Sequence, residues 1–403
     1  MAAILIFAIT YLVLAIGRLP GFRIDRTGAA IIGASFMVGI NALTLDEAYR
    51  AINFDTLILL FGMMIVVANL RLSGFFSLVA KRVVENAHSP LFLLISIVVV
   101  AGFFSAFFVN DTMCLVLTPL VLEIAETLGR NPVPYLLSVA MAANIGSAAT
   151  ITGNPQNMMI GSFSGLPYRD FLAVLAPVAL AGLLVVILVI LIAYRREFRS
   201  SDPVRVARQP VSVDSKLMWK AIVVSLAMLV MFFAGWPVPK VAILAGAVLL
   251  ITRRVNPDEV YRNIDWGLLV MFAGLFVVLA GIEKTSLEDN LIQLTGAFHL
   301  DNVFLLSGLA TFLSNLVSNV PAVLMFKPFV IHLADPRRAW LTLAMSSTFA
   351  GNLTVVGSVA NLIVIQRAQP RVKIGFWEHF RVGAPLSILT ILMGAAWIAW
   401  RVK

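Results

Sequence analysis

Charge and thiols are what this chain has least of. Of its 403 residues, 13% are charged and a single one, Cys114, is a cysteine. One cysteine excludes an internal disulfide and any cysteine-built metal cluster. His88, His299, His332 and His379 are scattered at spacings that match no zinc site, so no metal is expected. No glycine-rich loop ends in Gly-Lys-Ser/Thr, and ATP hydrolysis by this chain has no phosphate cradle. No nucleophile–base arrangement appears, so the chain does not read as an enzyme, and no organic cofactor is expected. The net charge of +9 comes without a basic stripe interleaved with aromatics. Nucleic acid is therefore not an expected partner.

What is present is apolar. Apolar residues make up 60% of the chain, and the mean hydropathy is +0.95. A soluble domain is nearer half apolar and a quarter charged. The run 171–193 carries no charge and is long enough to cross a bilayer. Backbone groups in lipid must be satisfied internally, which points to helices. The fold class is thus an all-α polytopic membrane protein. The opening stretch, MAAILIFAITYLVLAIGR, lacks the charged leading region of a signal peptide and reads as the first span. Full spans are predicted near 2–18, 28–44, 54–71, 135–160, 171–194, 218–235, 239–253, 265–282, 340–364 and 382–400.

Two polar interruptions occur twice. FSAFFVNDTMCLVLTP (104–119) is echoed by LSNLVSNVPAVLMFKP (313–328), and an offset of 209 superposes Ser105 on Ser314, Asn110 on Asn319 and Pro119 on Pro328. TITGNPQN (150–157) is echoed by TVVGSVAN (354–361) at an offset of 204. Such paired broken segments are the sequence sign of a repeat-built carrier. Segments 90–128 and 302–335 each read as apolar arm, polar tip and second arm with a proline, a re-entrant hairpin. That backbone survives at membrane depth only when buried in protein or facing water.

Each half then holds five spans and one hairpin. Five is odd, so the halves enter the membrane in opposite senses. The expected domains are a first inverted repeat over 1–194, a linker over 195–217, and a second inverted repeat over 218–403. The first contains hairpin 90–128 and broken helix 135–160; the second contains hairpin 302–335 and broken helix 340–364. With the N-terminus outside, the cytoplasmic loops collect 21 of the 30 lysines and arginines, as the positive-inside bias requires. Arg337 and Arg338 fall on the opposite side. Segments 74–86 and 285–297 are amphipathic and fit interfacial helices. The linker's basic residues fit contact with anionic headgroups.

Polar residues at membrane depth are candidates for function. Asp111 is foremost, with Asn110 and Thr112 beside it. Desolvation makes a carboxylate hold its proton more tightly unless a cation or donor compensates. Asp111 could carry a proton or ligate a cation; alternatively, this tip caps the following half-helix. In Thr152-Gly153-Asn154-Pro155-Gln156-Asn157, proline breaks the helix and frees carbonyls to act as ligands. Ser318, Asn319, Gly357, Ser358 and Asn361 are the counterparts in the second half. Without a proline, the Gly357 stretch reads equally as an unwound turn or as a small-residue packing patch. Lys327 could neutralise Asp111, bind an anion or snorkel to the interface. Glu123 is a further candidate for proton coupling.

The chain resembles the ion transporter superfamily. It contains the arsenite efflux pumps, the sodium/proton antiporters of the NhaD type, the melanosomal P protein and the divalent anion/sodium symporters, and members are often named citrate-transporter-like. The likeness spans about 20–400. Symporter tips carry Ser-Asn-Thr, and their broken helices carry Gly-Thr-Pro-Pro-Asn. Here the tips read Val109-Asn110-Asp111 and Ser318-Asn319-Val320. The breaks read Gly153-Asn154-Pro155-Gln156-Asn157 and Gly357-Ser358-Val359-Ala360-Asn361. The asparagines persist, hydroxyls are partly lost and an acid appears, which is closer to the arsenite-pump and antiporter branches. The resemblance implies a secondary active transporter of the inner (plasma) membrane, multi-pass and homodimeric, with an elevator-like motion. It implies a small inorganic ion or oxyanion as substrate, arsenite or antimonite first, coupled to H+ or Na+. A sodium/proton antiporter and an anion or dicarboxylate importer are the alternatives. An arsenite pump could also engage a soluble ATPase.

Overall fold

The computed structural model describes residues 2–17, 22–86, 89–199, 212–284 and 299–402. Most of the linker (200–211), the predicted interfacial segment 285–297, and Arg18 and His88 lie outside the described residues. Among those described, twenty α-helices occur and no strand. Six are long and apolar enough to cross a membrane: Phe54–Leu72, Pro90–Phe107, Tyr168–Ala193, Ser215–Phe233, Trp266–Glu283 and Phe376–Arg401.

In the first half the helices are α1 (Ala2–Ile16), α2 (Arg26–Gly39), α3 (Leu45–Ala51), α4 (Phe54–Leu72), α5 (Phe75–Asn86), α6 (Pro90–Phe107), α7 (Asn110–Thr127), α8 (Pro132–Ser147), α9 (Pro155–Ser164) and α10 (Tyr168–Ala193). A short α11 (Arg195–Arg199) follows. The second half runs α12 (Ser215–Phe233), α13 (Val238–Leu250), α14 (Pro257–Tyr261), α15 (Trp266–Glu283), α16 (Val303–Val317), α17 (Asn319–Val330), α18 (Pro336–Ala350), α19 (Val359–Ala368) and α20 (Phe376–Arg401). The order and relative lengths of α1–α4 recur in α12–α15, and those of α6–α10 recur in α16–α20.

Local chemistry sets many of these boundaries. Ser89, Asn131, Asn154 and Asp335 each cap a helix whose first residue is proline. The cap oxygen satisfies an amide with no carbonyl partner, and proline at that position loses no hydrogen bond. The arms α6 and α7 meet at Phe108-Val109 and pack on each other; α16 and α17 do the same around Ser318. The span predicted at 135–160 is two helices with a break at 148–154. The span predicted at 340–364 is two helices with a break at 351–358, which contains one 3-10 turn. The Gly357 stretch is therefore an unwound turn rather than an intact packing helix.

The helices sort into two groups. α4 packs on α13, and α15 packs on α2, with α1 and α12 against them. These two central contacts are very close. A Cβ added at Gly62 would stand 2.6 Å from the Ala242 backbone, and one at Gly274 would stand 2.7 Å from the Ala30 backbone. The offset is 212 for both members of the pair, 62 to 274 and 30 to 242. Small residues let helix backbones approach this way where lipid offers no hydrophobic drive. The second group comprises α6–α10 and α16–α20, with α6 on α8, α16 on α18, and α10 on α20.

Candidate functional site

The two breaks lie side by side and are sewn together by amides. Asn157 donates from Nδ2 to the carbonyls of Ser147 (3.2 Å) and Thr150 (3.0 Å). Asn361 donates to those of Gly351 (2.7 Å) and Thr354 (3.0 Å). Carbonyls freed by unwinding must find donors in a buried setting, and these two asparagines supply them. Asn154 Oδ1 accepts from the Asn157 amide at 2.8 Å and so starts α9. Ser358 Oγ accepts from the Ala360 amide at 3.2 Å and starts α19.

The centre of the network is Asn144 on α8. It accepts from Asn110 Nδ2 (3.0 Å) and Ser358 Oγ (3.1 Å), and donates to Asn352 Oδ1 (2.9 Å) and Asn361 Oδ1 (3.2 Å). On the other half, Thr348 Oγ1 accepts from Asn154 Nδ2 (3.2 Å) and Gln156 Nε2 (3.1 Å). Asn319, with its amide turned to suit its surroundings, donates to the carbonyls of Ser347 (3.0 Å) and Gly357 (3.2 Å) and accepts from Gln156 (3.2 Å). The backbone amide of Asn110 also reaches the Gly153 carbonyl at 2.9 Å. Both hairpin tips and both broken helices thus form one hydrogen-bonded body.

A cavity of about 750 Å³ opens beside this body. Its floor is made by Asn110, Asp111, Pro155, Gln156, Ser318, Asn319 and Ser358; its mouth is lined by Asp25, Arg26, Thr27, Asp265 and Gly267. Asp25 caps α2, Asp265 caps α15, and Thr27 Oγ1 donates to the Gly267 carbonyl at 3.2 Å, which holds the two helix starts together. Asp265 and Asp111 line the same cavity. Asp111 itself makes no capping bond: the residue ahead of α7 is Val109, and no side chain caps that helix. Asn110 is buried, and its Oδ1 has no partner among the described residues. Ser318 takes φ 77° and ψ 160°. A residue with a Cβ is strained there by roughly 1–3 kcal/mol, a cost that collects at functional turns.

Of the residues predicted from sequence, Asn110, Asp111, Pro155, Ser318, Asn319 and Ser358 line the cavity. Gly153, Asn154, Asn157, Gly357 and Asn361 support it from within the network. Thr152 lies behind, 2.9 Å from the Tyr168 hydroxyl. Thr112 is half-buried on the first turn of α7, and Glu123 is exposed further along it. Lys327 lies at a separate cavity, paired with Glu283 at 3.0 Å. Sequence reasoning did not single out Asn144 or Thr348, and it named Gln156 only as part of the first break. The available signal was an amide or hydroxyl at membrane depth, with Asn144 and Thr348 standing 204 residues apart.

Residues 11–350 match the family described as citrate transporter, CitMHS. This chain belongs to that family. It is 31% identical to the "46 kDa membrane protein" of Mycobacterium leprae, over 98% of this chain and 97% of that one. It is 30% identical to the silicon efflux transporter LSI3 of Oryza sativa subsp. japonica, over 96% of this chain and 95% of that one. The crystal structure of the YdaH transporter of Alcanivorax borkumensis matches at a TM-score of 0.61 and 14% identity, covering 98% of this chain and 96% of that one. That last likeness is one of fold. The chain is a multi-pass membrane transporter of the CitMHS type, and the family resemblance expected from its hairpins and breaks is borne out.

Proposed function

We propose that this protein is a secondary carrier that expels a small inorganic hydroxide, arsenite, antimonite or silicic acid in type, in exchange for protons. The observation that carries this reading is the charge of the cavity. Asp25, Asp111 and Asp265 face it against the one guanidinium of Arg26. A surface of that sign attracts cations, tolerates uncharged solutes and repels multivalent anions. The hydroxides of trivalent arsenic and antimony and of silicon are weak acids that stay uncharged at neutral pH. They offer several hydroxyls to the amides and hydroxyls of Asn110, Gln156, Asn319 and Ser358. A citrate-like trianion would meet net negative charge, and Lys327, the cation considered for an anion site, lines another cavity. The silicon efflux named for the rice relative agrees with this class.

Asp111 is the proton carrier in this reading. The cavity opens at the Asp25–Asp265 end, the cytoplasmic end on the basic-loop bias. The recurring element order supports two inverted repeats over 1–194 and 218–403. The hydrogen-bonded body of hairpins and breaks would move as a unit against the α1–α4 and α12–α15 scaffold, in a homodimer of the plasma membrane. No catalytic step and no cofactor are required. The acidic cavity also favours a second reading, sodium/proton antiport, in which the cation is itself the cargo.

Proteoliposomes loaded with a pH-sensitive dye test this. Proton movement on adding arsenite or silicic acid is expected. Movement on adding sodium alone would replace the proposal by antiport, and uptake of citrate without either would overturn both.

A further inference from the structure

At the end of the molecule away from the Asp25–Asp265 mouth is a second cavity, of about 610 Å³. Its lining includes Asn53, Asp55, Phe163, Phe276, Glu283 and Lys327. Here the two groups of helices touch. Lys327 on hairpin arm α17 pairs with Glu283 at the end of scaffold helix α15, at 3.0 Å. Lys327 Nζ also stands 5.5 Å above the ring of Phe163, the next-to-last residue of α9. Phe163 meets Phe276 of α15 edge-on at 6.2 Å, and Ser162 Oγ donates to Asn53 Oδ1, which caps α4, at 3.0 Å. At the opposite end the same groups are parted by the 750 Å³ cavity, and a long hydrogen bond runs between them from the Tyr11 hydroxyl to the carbonyl of Pro321, which lines that cavity, at 3.4 Å.

We propose that the Lys327–Glu283 pair is the latch of the far mouth, and that the cavity beside it is the vestibule into which the solute passes once the latch opens. The inference rests on the alternating-access reading above. A body that swings its floor from one mouth to the other must break its contacts with the scaffold at the mouth that opens. Lys327 holds both sides of that seam, the scaffold through Glu283 and the neighbouring broken helix through Phe163. The two side chains keep 34% and 27% of their exposure. A pair this wet is weak enough to open repeatedly, whereas a dry one would lock the carrier.

The test uses the full chain in sealed inside-out and right-side-out vesicles, so that each mouth meets the external reagent in one preparation, in a Cys114→Ala background, with one reporter cysteine at a time. Val356→Cys reports the large cavity, and Ile52→Cys reports the far one; both residues line the respective openings. The ratio of their labelling rates with a membrane-impermeant maleimide tracks the equilibrium between the two facing states. Lys327→Gln and Glu283→Gln are each expected to move the ratio toward Ile52 by about three- to fivefold, the size of a half-exposed ion pair. Exchanging the charges, Lys327→Glu with Glu283→Lys, is expected to restore it. Size-exclusion chromatography confirms that each variant is folded. A ratio unchanged in both single variants, or moved equally in the exchanged pair, overturns the latch. The labelling needs no substrate, so a missing arsenite or silicic acid flux would count against the proposed function and leave this result intact.

Discussion

Replacing Asp111 by asparagine separates charge from shape at the floor of the cavity. Asp111 is the second residue of α7 and makes no capping bond, so the amide forfeits nothing that holds the helix start in place. What it loses is the attraction between a carboxylate and the helix N-terminus, about 0.3–1 kcal/mol. That bounds the stability change, and apparent melting in detergent should move by no more than about 2–4 °C. Asparagine is also as good a cap as aspartate, so a merely structural Asp111 would tolerate the change. It cannot take up a proton. Proton movement driven by arsenite or silicic acid in dye-loaded liposomes is expected to fall to the protein-free level, with solute binding by the purified protein retained. Wild-type flux with an unchanged pH profile would refute the assignment. Asp265, which faces the same cavity, would then be the next acid to test, ahead of Glu123, which does not line it.

Asn144→Leu keeps the volume and removes four buried hydrogen bonds, leaving Asn110 Nδ2, Asn352 Oδ1 and Asn361 Oδ1 unpaired and the Ser358 hydroxyl without its acceptor. At about 1–3 kcal/mol for each unpaired group, with partial relaxation, a loss of roughly 3–5 kcal/mol is expected; a thermal-unfolding change under about 1 kcal/mol would show that the network is not what joins the two breaks. Gly62→Ala and Gly274→Ala push a methyl into the backbones of Ala242 and Ala30. Each should cost about 1–3 kcal/mol in the same assay, and wild-type stability in both would mean that the scaffold packs less tightly than described.

The framework of this structure is written in short-range chemistry. Asn154-Pro155 and Ser89-Pro90 start helices through chemistry that is local, because cap and proline act within a few residues. The polar tips at Asn110 and Ser318-Asn319 stand out because amides and acids are costly among apolar residues. The second break was harder to read. It has no proline, and what ends α18 is the demand of Gly351 and Thr354 carbonyls met by Asn361, visible only once 351 and 361 are neighbours. Asn144 escaped for a related reason. It sits in an unbroken helical run, its counterpart is a threonine, and its four partners come from three other elements. Asp25 and Asp265 are local features, each capping the helix that follows it. That they share one mouth depends on α2 packing against α15, a contact between residues some 240 apart, as in the Thr27–Gly267 bond, which no local pattern encodes.

On the proposed alternating-access reading, the departure from two-fold symmetry carries the mechanism. On the repeat reading proposed above, α7 corresponds to α17, and α9 to α19. Two halves in identical surroundings would bring each hairpin equally close to the opposite broken helix. Instead α7 packs extensively on α19, while α17 meets α9 more lightly. The first hairpin packs more closely on the helix after the second break, and the 750 Å³ cavity is lined by both tips, at Asn110 and Asp111 and at Ser318 and Asn319. A symmetric arrangement would be open to both sides or to neither, and either would fail as a coupled carrier. Two unequal arrangements of the same contacts, related by exchanging the roles of the halves, provide the two states that such a carrier needs. On the proposed alternating-access reading, the amides of Asn144, Asn154, Asn157 and Asn361 would stay within the moving body in either state. The contacts that would change are those at its seam with the scaffold, and there, among the described residues, the solvent-touched Lys327–Glu283 pair joins the two groups of helices.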